Sequence, residues 1–296
     1  MGSNDDAMGT VMRLGIAAEA LAALSARLRA DVEQIELDRD VAAGLDEVVD
    51  RLGVDVAAMT AQERRRIAMS AQALLLQAAD LLGDPGRPPG WAFDDPAVLL
   101  STGWLSAGIA RDIAELAPAL DGLEDALQRD GAVFLDVGAG VAALSIALCE
   151  TWPGLRVVGL EPWPPALALA EAQVTSSEAG ERIELRATRI EELEDDAAFD
   201  AAWLAGPFVP PPVLPAALTR LHAALKPGAW LLLGRFGAPP DPLAAAVVRL
   251  RVLRSGGSVA DGEVLGAAMR EAGLEDVREV QLRWQAPTFV VGRRPG

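Results

Sequence analysis

The chain reads as an α/β protein in which an all-helical region precedes a domain with a mainly parallel sheet. From Val133 onward, short apolar runs rich in Val and Leu and bounded by glycine alternate with helical stretches. That is the pattern of βαβ units whose strands are covered on both faces. Before residue 130 no strand pattern interrupts the helical spacing. The last two strand-like runs, 277–283 and 288–292, are too close together for a parallel crossover, so the final strand runs antiparallel to its neighbour.

Residues 1–9 are polar and expected to be disordered. Alanine and leucine then recur at helical spacing over 10–30, and Leu45, Val48, Val49 and Leu52 share one face of a helix over 41–52. Thr60-Ala-Gln-Glu63 is a capping box that opens a helix to residue 82, with Arg64, Arg65 and Arg66 in its first turn. The stretch 83–90 holds three prolines and three glycines and reads as a linker or an ordered lid hinge. Asp95-Pro96 starts the next helix with an acidic N-cap and a proline at the first helical position, and helical pattern continues with interruptions to residue 128. Three regions follow: 1–90, a helical domain; 91–129, connecting helices; and 130–296, the strand-helix domain. In the last, strands are expected at 133–137, 156–161, 183–187, 199–204 and 230–234, and helices at 142–151, 165–173, 213–225, 243–253 and 261–272.

Composition excludes several function classes. The 296-residue chain has a net charge of −17, with −12 falling in residues 1–130 and −5 in the remainder. Binding a phosphate backbone needs clustered Lys and Arg, so RNA and DNA are not expected partners. Cys149 is the only cysteine, which excludes internal disulfides and cysteine-based metal sites; no metal is expected. His222 is the only histidine and tyrosine is absent, which shortens the list of general bases. No apolar run looks as long as a membrane span, and no basic segment precedes an apolar one at the N-terminus, so no membrane and a cytoplasmic location are expected. The bias to Ala, Arg, Gly and Pro, with Lys226 the single lysine, suggests a bacterial genome rich in GC.

The stretch 133–163 carries the chemistry. Gly138 and Gly140 permit a tight turn that a ligand can approach, and the helix behind them points its amides at that ligand. Glu161 ends the second strand 23 residues after Gly138, where an acid can take a ribose diol. The run 138–143 also satisfies G-x-G-x-x-A, the dinucleotide fingerprint, so an NAD(P)-dependent oxidoreductase is a rival reading. Asp136 favours another ligand, because a carboxylate two residues before the first glycine suits a cationic amine better than a pyrophosphate.

Asp136-Val-Gly138-Ala-Gly140, Glu161, Phe199-Asp200-Ala201-Ala202, Leu225-Lys-Pro-Gly228 and Glu271-Ala-Gly-Leu-Glu-Asp-Val277, in that order, resemble the class I S-adenosylmethionine (SAM)-dependent methyltransferases. The resemblance covers residues 130–296, and the helical region ahead of them is similar in layout to bacterial small-molecule methyltransferases, which implies that 1–90 dimerise or form a lid, that 91–129 cover the active site and that 130–296 are the SAM-binding methyltransferase domain. It implies a Rossmann-like seven-stranded sheet of order 3-2-1-4-5-7-6 with strand 7 antiparallel, a homodimer, and methyl transfer from SAM to a small molecule in bacterial secondary metabolism, leaving S-adenosylhomocysteine (SAH). A protein of this fold that binds SAM without methylating is a second alternative. The implied cofactor residues are Asp136 for the methionine ammonium, the amides of Gly138, Ala139, Gly140 and Val141 for its carboxylate, Glu161 for the ribose, and Pro162 and Trp163 against the adenosine. Ala205 closes the set at the end of the fourth strand. The pattern's third glycine is Ala142 here, and its usual acid after the third strand is replaced by Thr188 or Arg189, leaving the adenine to backbone and Ile190.

For the acceptor, Trp91, Trp104, Trp203 and Phe208 are candidate stacking surfaces, though core packing suits each equally well. Arg111 could bind a substrate carboxylate, and Asp112 or Glu115 could act as a base. The stiff segment 206–212, Gly-Pro-Phe-Val-Pro-Pro-Pro, is the expected substrate wall. His222 falls near a helix C-terminus, away from the glycine turn, and Cys149 in an apolar helix; neither is assigned a role.

Overall fold

A computed structural model describes residues 2–237, 239–282 and 287–296, with side chains from Asp6 onward. The chain divides into two compact units, residues 1–85 with 100–105 and residues 86–99 with 106–296. The break therefore falls at Pro85, a few residues before the boundary expected from sequence.

The first unit holds α1 (Gly2–Glu33), α2 (Arg39–Arg51) and α3 (Ala61–Gly83). Leu24, Leu28, Val49 and Ala68 form its small core, and Arg27 and Arg64 are both ion-paired to Asp31 beside it. The capping box is present as read: the Glu63 amide donates to Thr60 Oγ1 and the Thr60 amide to Glu63 Oε2. Two expectations fail at the N-terminus. Helix α1 begins at Gly2, so 2–9 continue the helix rather than forming a disordered tail. The segment Asp6–Glu33 is also long and apolar enough to cross a membrane. Its many alanines raise the average without forming the unbroken run of large apolar residues sought in the sequence.

The second unit is built on one seven-stranded sheet, order β3-β2-β1-β4-β5-β7-β6. Its strands are β1 (Val133–Val137), β2 (Arg156–Leu160), β3 (Ile183–Arg186), β4 (Phe199–Ala205), β5 (Leu225–Arg235), β6 (Glu275–Val280) and β7 (Thr288–Arg293). β7 is antiparallel to both β5 and β6, as the short final connection requires. Of the expected strand at 277–283, Arg283 lies outside the described residues, and the strand itself starts two residues earlier, at Glu275. The 11-residue β5 runs back through Lys226-Pro-Gly to Leu225, longer than the apolar core of the strand suggested.

Helices cover both faces. One core layer joins the end of α4 (Pro96–Leu116), α5 (Leu123–Gln128) and α6 (Ala143–Thr151) to Phe134, Trp203, Trp230 and Phe289. The other joins α8 (Leu214–Ala224) and α10 (Gly262–Glu271) to Leu135, Leu204, Leu231 and Val290. Also present are α7 (Pro164–Ser176), between β2 and β3, and α9 (Pro242–Arg254), between β5 and α10. Buried Asp200, at the opening of β4, is paired with Arg129 and with Lys226 Nζ at 2.8 Å, and accepts the Val133 amide at 2.8 Å. That network ties the starts of β1, β4 and β5 together, which leaves their carboxyl ends to the site.

Candidate active site

The turn between β1 and α6 follows from its glycines. Gly138 has φ 78° and Gly140 φ 58°, and a Cβ built at either would meet nothing within 4 Å, so the backbone faces open space. Ala142 also has φ 63°, as the N-cap of α6. It is not merely a tolerated residue at a helix start. A left-handed alanine costs about 1–2 kcal/mol, roughly offset by about 0.8 kcal/mol for its buried methyl and by an unfolded chain less disordered than glycine would give.

The loop amides differ from the sequence reading. Those of Gly138 and Ala139 both donate to Leu160 O at 2.9 Å, and that of Gly140 to Glu161 Oε2 at 2.7 Å. Val141 is buried, and its carbonyl accepts from Gln173 Nε2. An anion at this turn therefore meets the Val141 amide, which has no hydrogen bond among the described residues, and the first-turn amides of α6, which have no intrahelical partners. The antiparallel β7 departs from a dinucleotide-binding sheet.

Two acids flank the turn. Asp136 is 1% exposed and accepts from Ser145 Oγ at 2.7 Å. Burial pushes its carboxyl up to about 6, against which the Ser145 hydrogen bond acts. A buried carboxylate with one neutral partner is a receptor for a cation. Glu161, 6% exposed, accepts the Trp163 amide on Oε1 and the Gly140 amide on Oε2. Each oxygen retains a lone pair for a diol hydroxyl. Burial raises its carboxyl as well, and the two amides oppose that shift. The residues present thus fit a ligand carrying an ammonium and a ribose.

The stretch 86–95 belongs to the sheet unit, against which it lies as a strap. Trp163 Nε1 donates to Phe93 O at 2.6 Å, and the Gly90 amide to Arg254 O at 2.9 Å. Trp91 meets Phe93 and Phe208 edge-on, each with ring centroids 4.9 Å apart. Gly256 and Gly257 permit the close approach of α9's end: a Cβ at Gly256 would stand 3.1 Å from Gly90 Cα, and one at Gly257 would overlap Pro207 O. Trp91, Phe208 and Trp163 are therefore brought into one cluster with the strap.

Other candidates separate from this cluster. Trp203 is 4% exposed, packs edge-on against Phe289 and lies over Gly234, so its expected stacking role is corrected to core packing. Trp104 belongs to the helical unit, where Arg65 lies over its ring at 5.3 Å. Arg111 and Glu115 are exposed, while Asp112 is buried and 3.8 Å from the Arg111 guanidinium. The Ile190 side chain is enclosed in the second core layer and offers a ligand only backbone, a correction to its expected adenine contact. Thr188 is half-buried and Arg189 exposed, Pro162 is exposed, and Ala205 is half-buried at the end of β4. His222 packs beside Gly273 and Cys149 is enclosed in the core, its thiol pushed up to about 11 by burial. Sequence reasoning missed Ser145, Gly90 and Phe93; an aromatic pair, Trp-Ala-Phe, directly after Pro-Pro-Gly was the available signal.

A family model described as a methyltransferase domain matches residues 134–228. The demethylmenaquinone methyltransferase of Thermus thermophilus is 30% identical over 191 residues, spanning 57% of this chain and 86% of that protein. Among solved structures, an O-methyltransferase family protein from Burkholderia thailandensis superimposes with a TM-score of 0.68 at 16% identity, over 100% of this chain and 99% of that one. Human N-acetylserotonin methyltransferase in complex with SAM does so with a TM-score of 0.64 at 14% identity, over the whole of both chains. At such identities the two structures share the fold.

Proposed function

The chain belongs to the class I SAM-dependent methyltransferases, and from that premise we propose that it methylates a small molecule, in bacterial secondary metabolism. The observation that carries this reading is the strap, which sets Trp91 against both Phe93 and Phe208 beside the cofactor turn and brings a single basic side chain, Arg87, over the Phe93 ring at 5.0 Å. An aromatic wall with an isolated guanidinium suits a compact organic acceptor, whereas a phosphate backbone needs clustered Lys and Arg.

Bound SAM supplies an electrophilic methyl group on a sulfonium; the protein's part is to bind and align. Asp136 holds the ammonium, the α6 first turn the carboxylate, and Glu161 the ribose diol. Trp163 and Pro162 line the adenosine side, with Thr188, Arg189 and the Ile190 backbone near the adenine and Ala205 near the methyl group. The loop after β4, Gly206 to Pro212, carries no titratable side chain. Rate then comes from alignment and exclusion of water, and the acceptor is an amine or a readily ionised hydroxyl that loses its proton to solvent. The protein acts in the cytoplasm as a homodimer, with the exposed Met8, Val11, Met12 and Ile16 of α1 as the contact.

Calorimetric titration with SAH and NADP, then transfer of labelled methyl into the low-molecular-weight and macromolecular fractions of a bacterial extract, tests this. SAH binding with label in the small fraction is expected; label in RNA or protein contradicts the acceptor class. Light scattering that gives a monomer in detergent-free buffer contradicts the dimer.

A further inference from the structure

Arg251 is out of keeping with its surroundings. It lies on the less exposed face of α9, together with Ala244, Ala245, Val248 and Val252. Among the described residues it is the one arginine outside the exposed class whose side chain has no hydrogen-bond, ion-pair or ring partner, in a chain with 43 acidic and 26 basic side chains. Burial alone acts on it, lowering its proton affinity. A guanidinium withdrawn from water gives up hydration, and its planar fork of donors matches a carboxylate.

The position of α9 supplies the context. Arg254, one turn further on, accepts the Gly90 amide, next to Trp91; Gly257 lies against Pro207, next to Phe208. One turn is about 5 Å, so Arg251 stands within a side chain's reach of the ends of the Trp91–Phe208 pair. The loop 206–213 contains no acid, and neither acid of the strap, Asp94 or the α4 N-cap Asp95, is paired with it.

We propose that Arg251, with Trp91 and Phe208, forms an acceptor subsite for a flat molecule bearing a carboxylate or a similar anion. The aromatic pair takes the ring, and the guanidinium takes the anion in a bidentate contact. The subsite deepens the methyl-transfer reading and rests on it.

The test uses the full chain saturated with SAH, titrated with 4-hydroxybenzoate and indole-3-carboxylate and with the uncharged amide of each. Acids should bind at least about tenfold more tightly than amides, the scale of a hydrogen bond to a charged group. Arg251→Gln should abolish the preference and leave SAH affinity unchanged, and Arg251→Lys should keep part of it. Equal affinity for acid and amide, no binding of either, or a preference that survives Arg251→Gln would overturn the subsite. In that last case the arginine's stem merely packs while its head reaches water. Failure of the wild type to bind SAH at all would overturn the methyl-transfer reading and the subsite together.

Discussion

The two sides of the site in the sheet unit are built on different principles. The cofactor side, from β1 through β2, is held by backbone: the Gly138 and Ala139 amides on Leu160 O, the Gly140 and Trp163 amides on Glu161, and buried Asp136 with Ser145 beneath. The side proposed for the acceptor, made of the strap, the loop after β4 and the end of α9, is held by aromatic edges and a few single hydrogen bonds. The first is over-determined and its ligand chemistry is fixed by the chain. The second can be re-surfaced side chain by side chain, which lets one cofactor platform serve many acceptors.

Disturbing each side in turn sharpens the contrast. Asp136→Asn should have the largest effect, weakening SAH binding by about 100-fold or more, the cost of leaving a cation without its buried partner. The same change should stabilise the free protein near pH 7. With the folded carboxyl at about 6 and an unfolded value near 4, burial costs on the order of 3 kcal/mol once ionised. Because the folded value is the raised one, stability is full below about pH 4 and is lost as pH rises through 6. Thermal melts of the two proteins should therefore coincide below about pH 4, separate between about pH 4 and 6, and keep a constant gap above that.

Glu161→Ala strips the Gly140 and Trp163 amides of their acceptor and should cost about 2 kcal/mol in urea unfolding as well as SAH affinity. On the acceptor side, Trp163→Phe keeps the ring and removes the donor to Phe93 O. Its expected cost is about 1 kcal/mol, with faster amide exchange confined to 86–95 and little change around 138–140. Exchange rising equally on both sides would erase the distinction. Ala142→Gly should change stability least, by less than about 1 kcal/mol, since relief of left-handed strain and loss of a buried methyl nearly cancel.

The same contrast explains what could be read from sequence. Glycines and acids at set distances from strand ends are local signals, so the turn, Asp136, Glu161 and the antiparallel last strand were legible in the order of residues. The capping box at Thr60 was legible for the same reason. Trp203 was not, because its burial depends on Gly234 of the neighbouring strand, which lies 31 residues away. The strap's docking depends on Gly256 and Gly257, more than 150 residues further along. Which loop amides remain free depended on Leu160 O turning toward Gly138, and no sequence spacing reports that. Ile190 is expected against the adenine, yet the 3-10 turn at Ile190–Glu192 places its side chain in the core.

The central claim is that Asp136 is kept buried, at a cost to the free protein, in order to hold a cofactor ammonium. Titration of SAH between pH 5 and 8, for the wild type and Asp136→Asn, tests it most directly. Wild-type affinity should rise about tenfold per pH unit below the Asp136 value and level off above it, because the cation must displace a proton there. The variant should bind weakly and without that slope. A wild-type affinity that is flat over the whole range, or matched by the variant, would contradict the claim.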